Sequence, residues 1–103
     1  MHDILVRIKR AILAGHYVFS EKALVEMEAD RIRAQDVVES ILNAVAIYKT
    51  LRSRSPRRTH LRERLYVIQS TNLDGLAIYT KGKLVSEAEN DTYYFLISSK
   101  RAL

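Results

Sequence analysis

Residues 65–80 read LYVIQSTNLDGLAIYT: two apolar, β-branched and aromatic runs on either side of Asn72-Leu73-Asp74-Gly75. Period-two alternation marks Leu65 to Thr71 and Leu76 to Thr80 as strands. The Asn, Asp and Gly between them are residues that reverse a chain through side-chain hydrogen bonds or positive φ. The unit therefore predicts an antiparallel hairpin.

The same pattern continues on both sides of the hairpin. Val45 to Arg52 and Thr92 to Ser99 also alternate, which gives four strands in the second half. Pro56 would interrupt a ladder, so residues 53–62 read as a loop, and the polar SEAEND at 86–91 reads as another. Upstream the period changes to that of helices. Ile4, Leu5, Ile8, Ile12 and Leu13 recur at helical spacing, with Gly15 as a C-terminal cap. Ser20 is placed to cap a second helix carrying Ala23, Leu24 and Met27. Asp36 stands near the start of a third, with Val37, Val38, Ile41 and Leu42. Two to three N-terminal helices packed on one face of an antiparallel sheet of about four strands make an α+β domain spanning residues 1–103. The other sheet face is left free to bind.

Composition narrows the chemistry. The chain has no cysteine, which removes disulfides, thiol catalysis and thiolate metal sites. His2, His16 and His60 lack metal-ligand spacing, so no metal or other cofactor is expected. With no apolar run near 18 residues and no signal-peptide pattern, the expectation is a soluble cytoplasmic protein without a membrane partner.

Charge is unevenly placed. In YKTLRSRSPRRTHLRERLY, residues 48–66, seven cations stand against Glu63 alone, a local charge of +6. The whole chain is +5, so the remainder sums to −1. Six of those cations are Arg, whose planar fork pairs with phosphate and stacks on bases. Such a concentration points to a polyanion. Tyr48, Arg52, Arg54, Arg57, Arg58, Arg62, Arg64 and Lys81 are the candidate RNA-binding residues.

Alternation puts Tyr79 and Lys81 on one face, Lys49 with Ile47 and Leu51, and Lys100 with Leu96 and Ser98. Converging strand ends would give a cationic site. Cleavage of RNA by the ribose 2′-hydroxyl needs a base, cations for the phosphorane charge, and an acid for the leaving 5′-oxygen. Clustered Lys, Arg, Tyr and one carboxylate can supply these; Glu63 would act as base or hold an arginine. Tyr48, Tyr66 and Tyr79 would stack on bases or donate protons. Each residue also has an ordinary reading. Strand tyrosines pack, strand-end lysines protect edges, and Glu63 between arginines balances surface charge.

GHYVFSEKALVEMEADRIRAQDVVESILNA (15–44) resembles the helical opening of a bacterial domain family of unknown function, through Phe19-Ser20, Met27, Ile32 and Asp36-Val37. IYKTLRS (47–53), Glu63-Arg64-Leu65-Tyr66, Tyr79 and SSKRA (98–102) are similar to MqsR-like toxins of the RelE superfamily, with Glu63 where those carry glutamine. The resemblance implies a RelE-like fold and a metal-independent mRNA interferase, the toxin of a type II toxin–antitoxin system. It implies Lys49, Tyr79, Lys100 and Glu63 as catalytic positions and a small zinc-ribbon antitoxin as partner. The alternative is a non-catalytic RNA- or ribosome-binding module. A DNA-binding regulator ranks below both, since no helix-turn-helix is evident.

Overall fold

The computed structural model describes residues 3–54, 63–88 and 90–103. Three helices, α1 (Ile4–Leu13), α2 (Glu21–Asp30) and α3 (Ala34–Asn43), precede or flank strands β1 (Tyr17–Phe19), β2 (Lys49–Arg52), β3 (Arg64–Thr71), β4 (Ala77–Glu87) and β5 (Asn90–Arg101). The sheet order is β1-β5-β4-β3-β2. β2 to β5 form an antiparallel meander, and β1 joins β5 in parallel. The α+β architecture is as expected, but the sheet has five strands and is mixed. The extra strand is Tyr17-Val18-Phe19, too short to show an alternation of its own.

The helix ends follow from local chemistry. Gly15 takes φ 77 after α1, and the His16 N–H returns to the Ala11 carbonyl at 2.9 Å. Ser20 Oγ accepts from the Ala23 N–H at 3.0 Å at the start of α2. Asp36 is buried in the first turn of α3, where its Oδ2 accepts from the Arg33 N–H at 2.8 Å. Its Oδ1 accepts from Asn72 Nδ2 at 3.2 Å. Asn72 Oδ1 in turn accepts from the Asp74 and Leu76 N–H groups at 3.1 and 2.7 Å. The turn that makes the β3–β4 hairpin is thus built from its own asparagine and tied to α3.

All three helices pack on one sheet face. Leu5, Ile8 and Ile12 of α1, Met27 of α2, and Val37 and Ile41 of α3 meet Ile68, Ile78, Tyr94 and Leu96 in one buried cluster. Each such side chain contributes about 1.5–3 kcal/mol by leaving water. The alternate positions Tyr79, Lys81 and Lys83 emerge on the face opposite the helices, where they are half-buried.

α2 also closes one edge of the sheet. Beyond the end of β1, Glu26 Oε1 accepts from Ser98 Oγ at 2.7 Å and from the Ser99 N–H at 3.2 Å. Asp30 Oδ2 accepts from the Arg101 N–H at 2.9 Å. Carboxylates here substitute for a neighbouring strand.

Two expectations change, and a third falls largely outside the described residues. Ser86, Glu87, Asn90 and Asp91 are strand and not loop: Ser86 pairs with Asp91 and Glu87 with Asn90, so β4 and β5 run together as far as Ala88, φ 47. The polar composition reflects strand ends standing clear of the core. The strand expected from Val45 begins at Lys49, with Val45 98% exposed ahead of it. Of the loop at 53–62, only Ser53 and Arg54 lie within the described residues, outside any regular element.

Candidate functional site

The open face is assembled by register. Lys49 stands opposite Val67, and Val67 opposite Lys81. Gln69 stands opposite Tyr79, and Tyr79 opposite Lys100. Directly opposed residues in an antiparallel sheet share a face. Lys49, Lys81, Tyr79 and Lys100 therefore all project to the side the helices leave uncovered.

Lys100 reaches this face because of a bulge. Gly82 pairs with Leu96 and Lys81 with Ser98, so Ile97 is an extra residue that shifts the alternation by one. Leu96, before the bulge, faces the helices, whereas Ser98 and Lys100, opposite Lys81 and Tyr79, fall on the other side; unbroken alternation would have put all three together. The bulge brings Lys100 Nζ to 5.2 Å from the Tyr79 ring centroid, a cation–π contact. Gln69, Tyr79, Lys100, Arg101, Ala102 and Leu103 line a hollow of about 310 Å³ around this pair.

A second hollow of about 370 Å³ lies further along β4, lined by Ser53, Arg54, Glu63, Leu65, Lys81, Lys83, Phe95 and Ile97. Both carboxylate oxygens of Glu63 accept from Lys83 Nζ at 3.2 Å. The Lys83 ammonium also lies 5.9 Å from the Phe95 ring centroid. Glu63 is 5% exposed, so it is a buried ion-pair partner and not a surface balancing charge. Lys83 is not among the candidate site residues read from the sequence, although the alternation that selected Tyr79 and Lys81 runs on to it through Gly82.

Among the described residues the basic segment does not form one patch. Arg52 pairs with Arg64, and both share the face of Tyr66 and Thr50, opposite that of Lys49. Tyr66 belongs to the helix side as well, packing against the core where burial raises its pKa despite nearby Arg7 and Arg64. It is therefore removed from the stacking candidates. Tyr48 is 67% exposed beside β2, its N–H donating to the Val67 carbonyl at 2.9 Å. Arg54 borders the larger hollow. Arg57, Arg58 and Arg62, with Pro56 and His60, lie outside the described residues.

Lys49 shares the open face but stands at its far margin. It is level with Lys81, two strands away, while Lys100 is one strand beyond β4 and level with Tyr79. Strand spacing of about 4.8 Å and a rise of about 3.4 Å per residue put the Lys49 and Lys100 Cα atoms about 16 Å apart.

On the helix side, Arg7 donates from Nε and one terminal nitrogen to Asp91 at 2.9 and 2.6 Å, and Ser86 Oγ donates to the same carboxylate at 2.8 Å. The Arg7 contacts hold Asp91 below the usual carboxylate range. This fork secures the β4–β5 turn to α1. Among the described residues no three His, Asp or Glu side chains converge as metal ligands, and no helix is long and apolar enough to cross a membrane. No family model, curated protein or solved structure matches the chain.

Proposed function

We propose that the chain is an mRNA interferase, the toxin of a type II toxin–antitoxin pair with a RelE-like fold, and that it takes single-stranded RNA across the open sheet face. The observation that carries this reading is the Tyr79–Lys100 pair, side by side on the same uncovered face as Lys49 and Lys81. Three strands, β2, β4 and β5, carry these side chains, and the helices stay out of the way behind them.

In this reading the ribose 2′-hydroxyl loses its proton to solvent water as its oxygen attacks phosphorus, the bond to the 5′-oxygen breaks, and a 2′,3′-cyclic phosphate remains. Lys81 and Lys100 face the phosphate oxygens and offset the charge that builds up on them. Tyr79 gives its hydroxyl proton to the leaving oxygen and regains one from water. Lys49, about 16 Å from Lys100, grips a flanking phosphate and not the reacting one. Glu63, held by Lys83, orders the neighbouring hollow. The steps need no metal. A small zinc-ribbon antitoxin is the expected inhibitor, acting by covering the same face.

The wide spacing of Lys49 and Lys100 also favours a second reading, a module that binds RNA without cutting it. Incubating the purified protein with single-stranded RNA in the presence of a chelator, then analysing the new ends, separates the two. Cyclic phosphate ends that disappear in Lys100→Ala and Tyr79→Phe support the nuclease, with Lys49→Ala mainly weakening RNA affinity. Induced expression should arrest growth, and Lys49→Ala and Lys100→Ala should each relieve the arrest. Unchanged cleavage or arrest in the folded Lys49→Ala/Lys100→Ala double variant refutes the site.

A further inference from the structure

We infer that the hollow between Glu63–Lys83 and Phe95 is a mononucleotide site, taking one base and its phosphate. The inference rests on the reading of the open face as an RNA surface and narrows it to one subsite. Volume, floor and charge agree on this occupant. At about 370 Å³ the hollow sits at the small end of ligand pockets, room for one nucleotide and not for several. Its floor is apolar, formed by Leu65, Phe95 and Ile97, all half-buried on a face otherwise studded with lysines. A half-buried aromatic ring within a cationic rim suits a base, whose flat surface stacks while its phosphate stays at the edge.

Charge points the same way. Arg54, Lys81 and Lys83 against Glu63 leave the lining at +2, which complements a phosphomonoester of about −1.5 to −2. The Glu63–Lys83 pair also presents an acceptor and a donor side by side, the pattern that reads the hydrogen-bonding edge of a base. The hollow adjoins the reacting centre through Lys81, which lines it and stands next to Tyr79 on the same face of β4. Tyr79, Lys81 and Lys83 recur about every 7 Å along β4, so a base seated at Phe95 puts its neighbouring phosphate at Lys81 and Lys100.

Titrating isotopically labelled protein with GMP, AMP, UMP and CMP, and separately with inorganic phosphate and with a poly-glutamate peptide, tests the site by amide shifts. Nucleotides should move the Leu65, Lys81, Phe95 and Ile97 signals and bind more tightly than phosphate. Phe95→Leu, which keeps an apolar floor but removes the ring, should weaken nucleotide binding by at least about fivefold and leave phosphate binding unchanged. Lys81→Ala should weaken both. The inference falls if no nucleotide binds, if phosphate binds as tightly as the nucleotides, or if Phe95→Leu binds like the parent. It falls too if poly-glutamate binds this hollow more tightly, which would assign it to an acidic protein partner. Mononucleotides contain no scissile linkage, so these outcomes are independent of whether the protein cuts RNA.

Discussion

Replacing Gly82 with alanine should destabilise the protein through a single added methyl group. A Cβ at this position would lie 2.6 Å from Tyr94 Cζ and 2.7 Å from both Cε2 and the hydroxyl oxygen. Carbon atoms prefer about 3.5–4.0 Å, so roughly an ångström must be found somewhere. Tyr94 cannot supply it cheaply, being 0% exposed and wedged in the cluster with Ile8, Ile68 and Leu96. Gly82 sits beside the Ile97 bulge, in the backbone that sets the register of Lys81 and Lys100. Overpacking of this kind costs about 1–3 kcal/mol. In a domain near 100 residues that corresponds to a Tm lower by about 4–8 °C per kcal/mol. Urea denaturation of wild type, Gly82→Ala, Tyr94→Leu and the double variant measures it. Tyr94→Leu makes a cavity and should be destabilising alone, yet it removes the atoms that Cβ meets. The two losses should then fall short of additive by about 0.5–3 kcal/mol. Gly82→Ala within about 0.5 kcal/mol of wild type, the range of an ordinary surface change, refutes the packing argument.

Acid should weaken the fold at Asp36, whose carboxyl is held below its ordinary value chiefly by the Arg33 N–H and further by Asn72. A depressed folded pKa gives stability that is complete above the unfolded value of about 3.9 and lost as pH falls through the folded one. Chemical denaturation between pH 6 and pH 2.5 should show that loss, with a shallower slope in Asp36→Asn; equal slopes rule out the contribution. Asn72→Ala removes an acceptor for two turn N–H groups and a donor to Asp36, and should cost about 1–3 kcal/mol by thermal or urea unfolding, with the β3–β4 turn exchanging amide protons faster. A variant as stable as the parent would mean the turn is held from elsewhere.

What could be read from the chain follows the range of the forces involved. Asn72 with Gly75, Ser20 before α2 and Gly15 after α1 each act within a few residues, so the hairpin and the helix ends were legible locally. β1 was not. Three residues show no period, and Tyr17-Val18-Phe19 becomes a strand only because β5 lies alongside it. Tyr79 and Lys81 were correctly placed together because alternation holds along β4 to that point. Lys100 was grouped with Leu96, which faces the helices, because a bulge at Ile97 leaves no mark in the residue pattern. Counting charge over residues 48–66 could not reveal that β2 sends Lys49 to one face and Arg52 to the other. Glu63 is the sharpest case. Its neighbours in sequence are arginines, but Lys83, twenty residues on, holds it in the hollow.

The carboxylates of α2 have a consequence for the protein out of its native state. β5 is twelve residues long, the longest strand, and its central run of aromatic and β-branched residues is the kind that templates cross-strand assembly. In the folded chain β1 covers one stretch of its outer side, and Glu26 and Asp30 take up the Ser99 and Arg101 N–H groups. Detachment of α2 alone, with the sheet intact, would present that ladder to a second molecule. Helix α2 thus acts as a solubility guard: conditions that loosen it should bring turbidity before they bring loss of β-sheet.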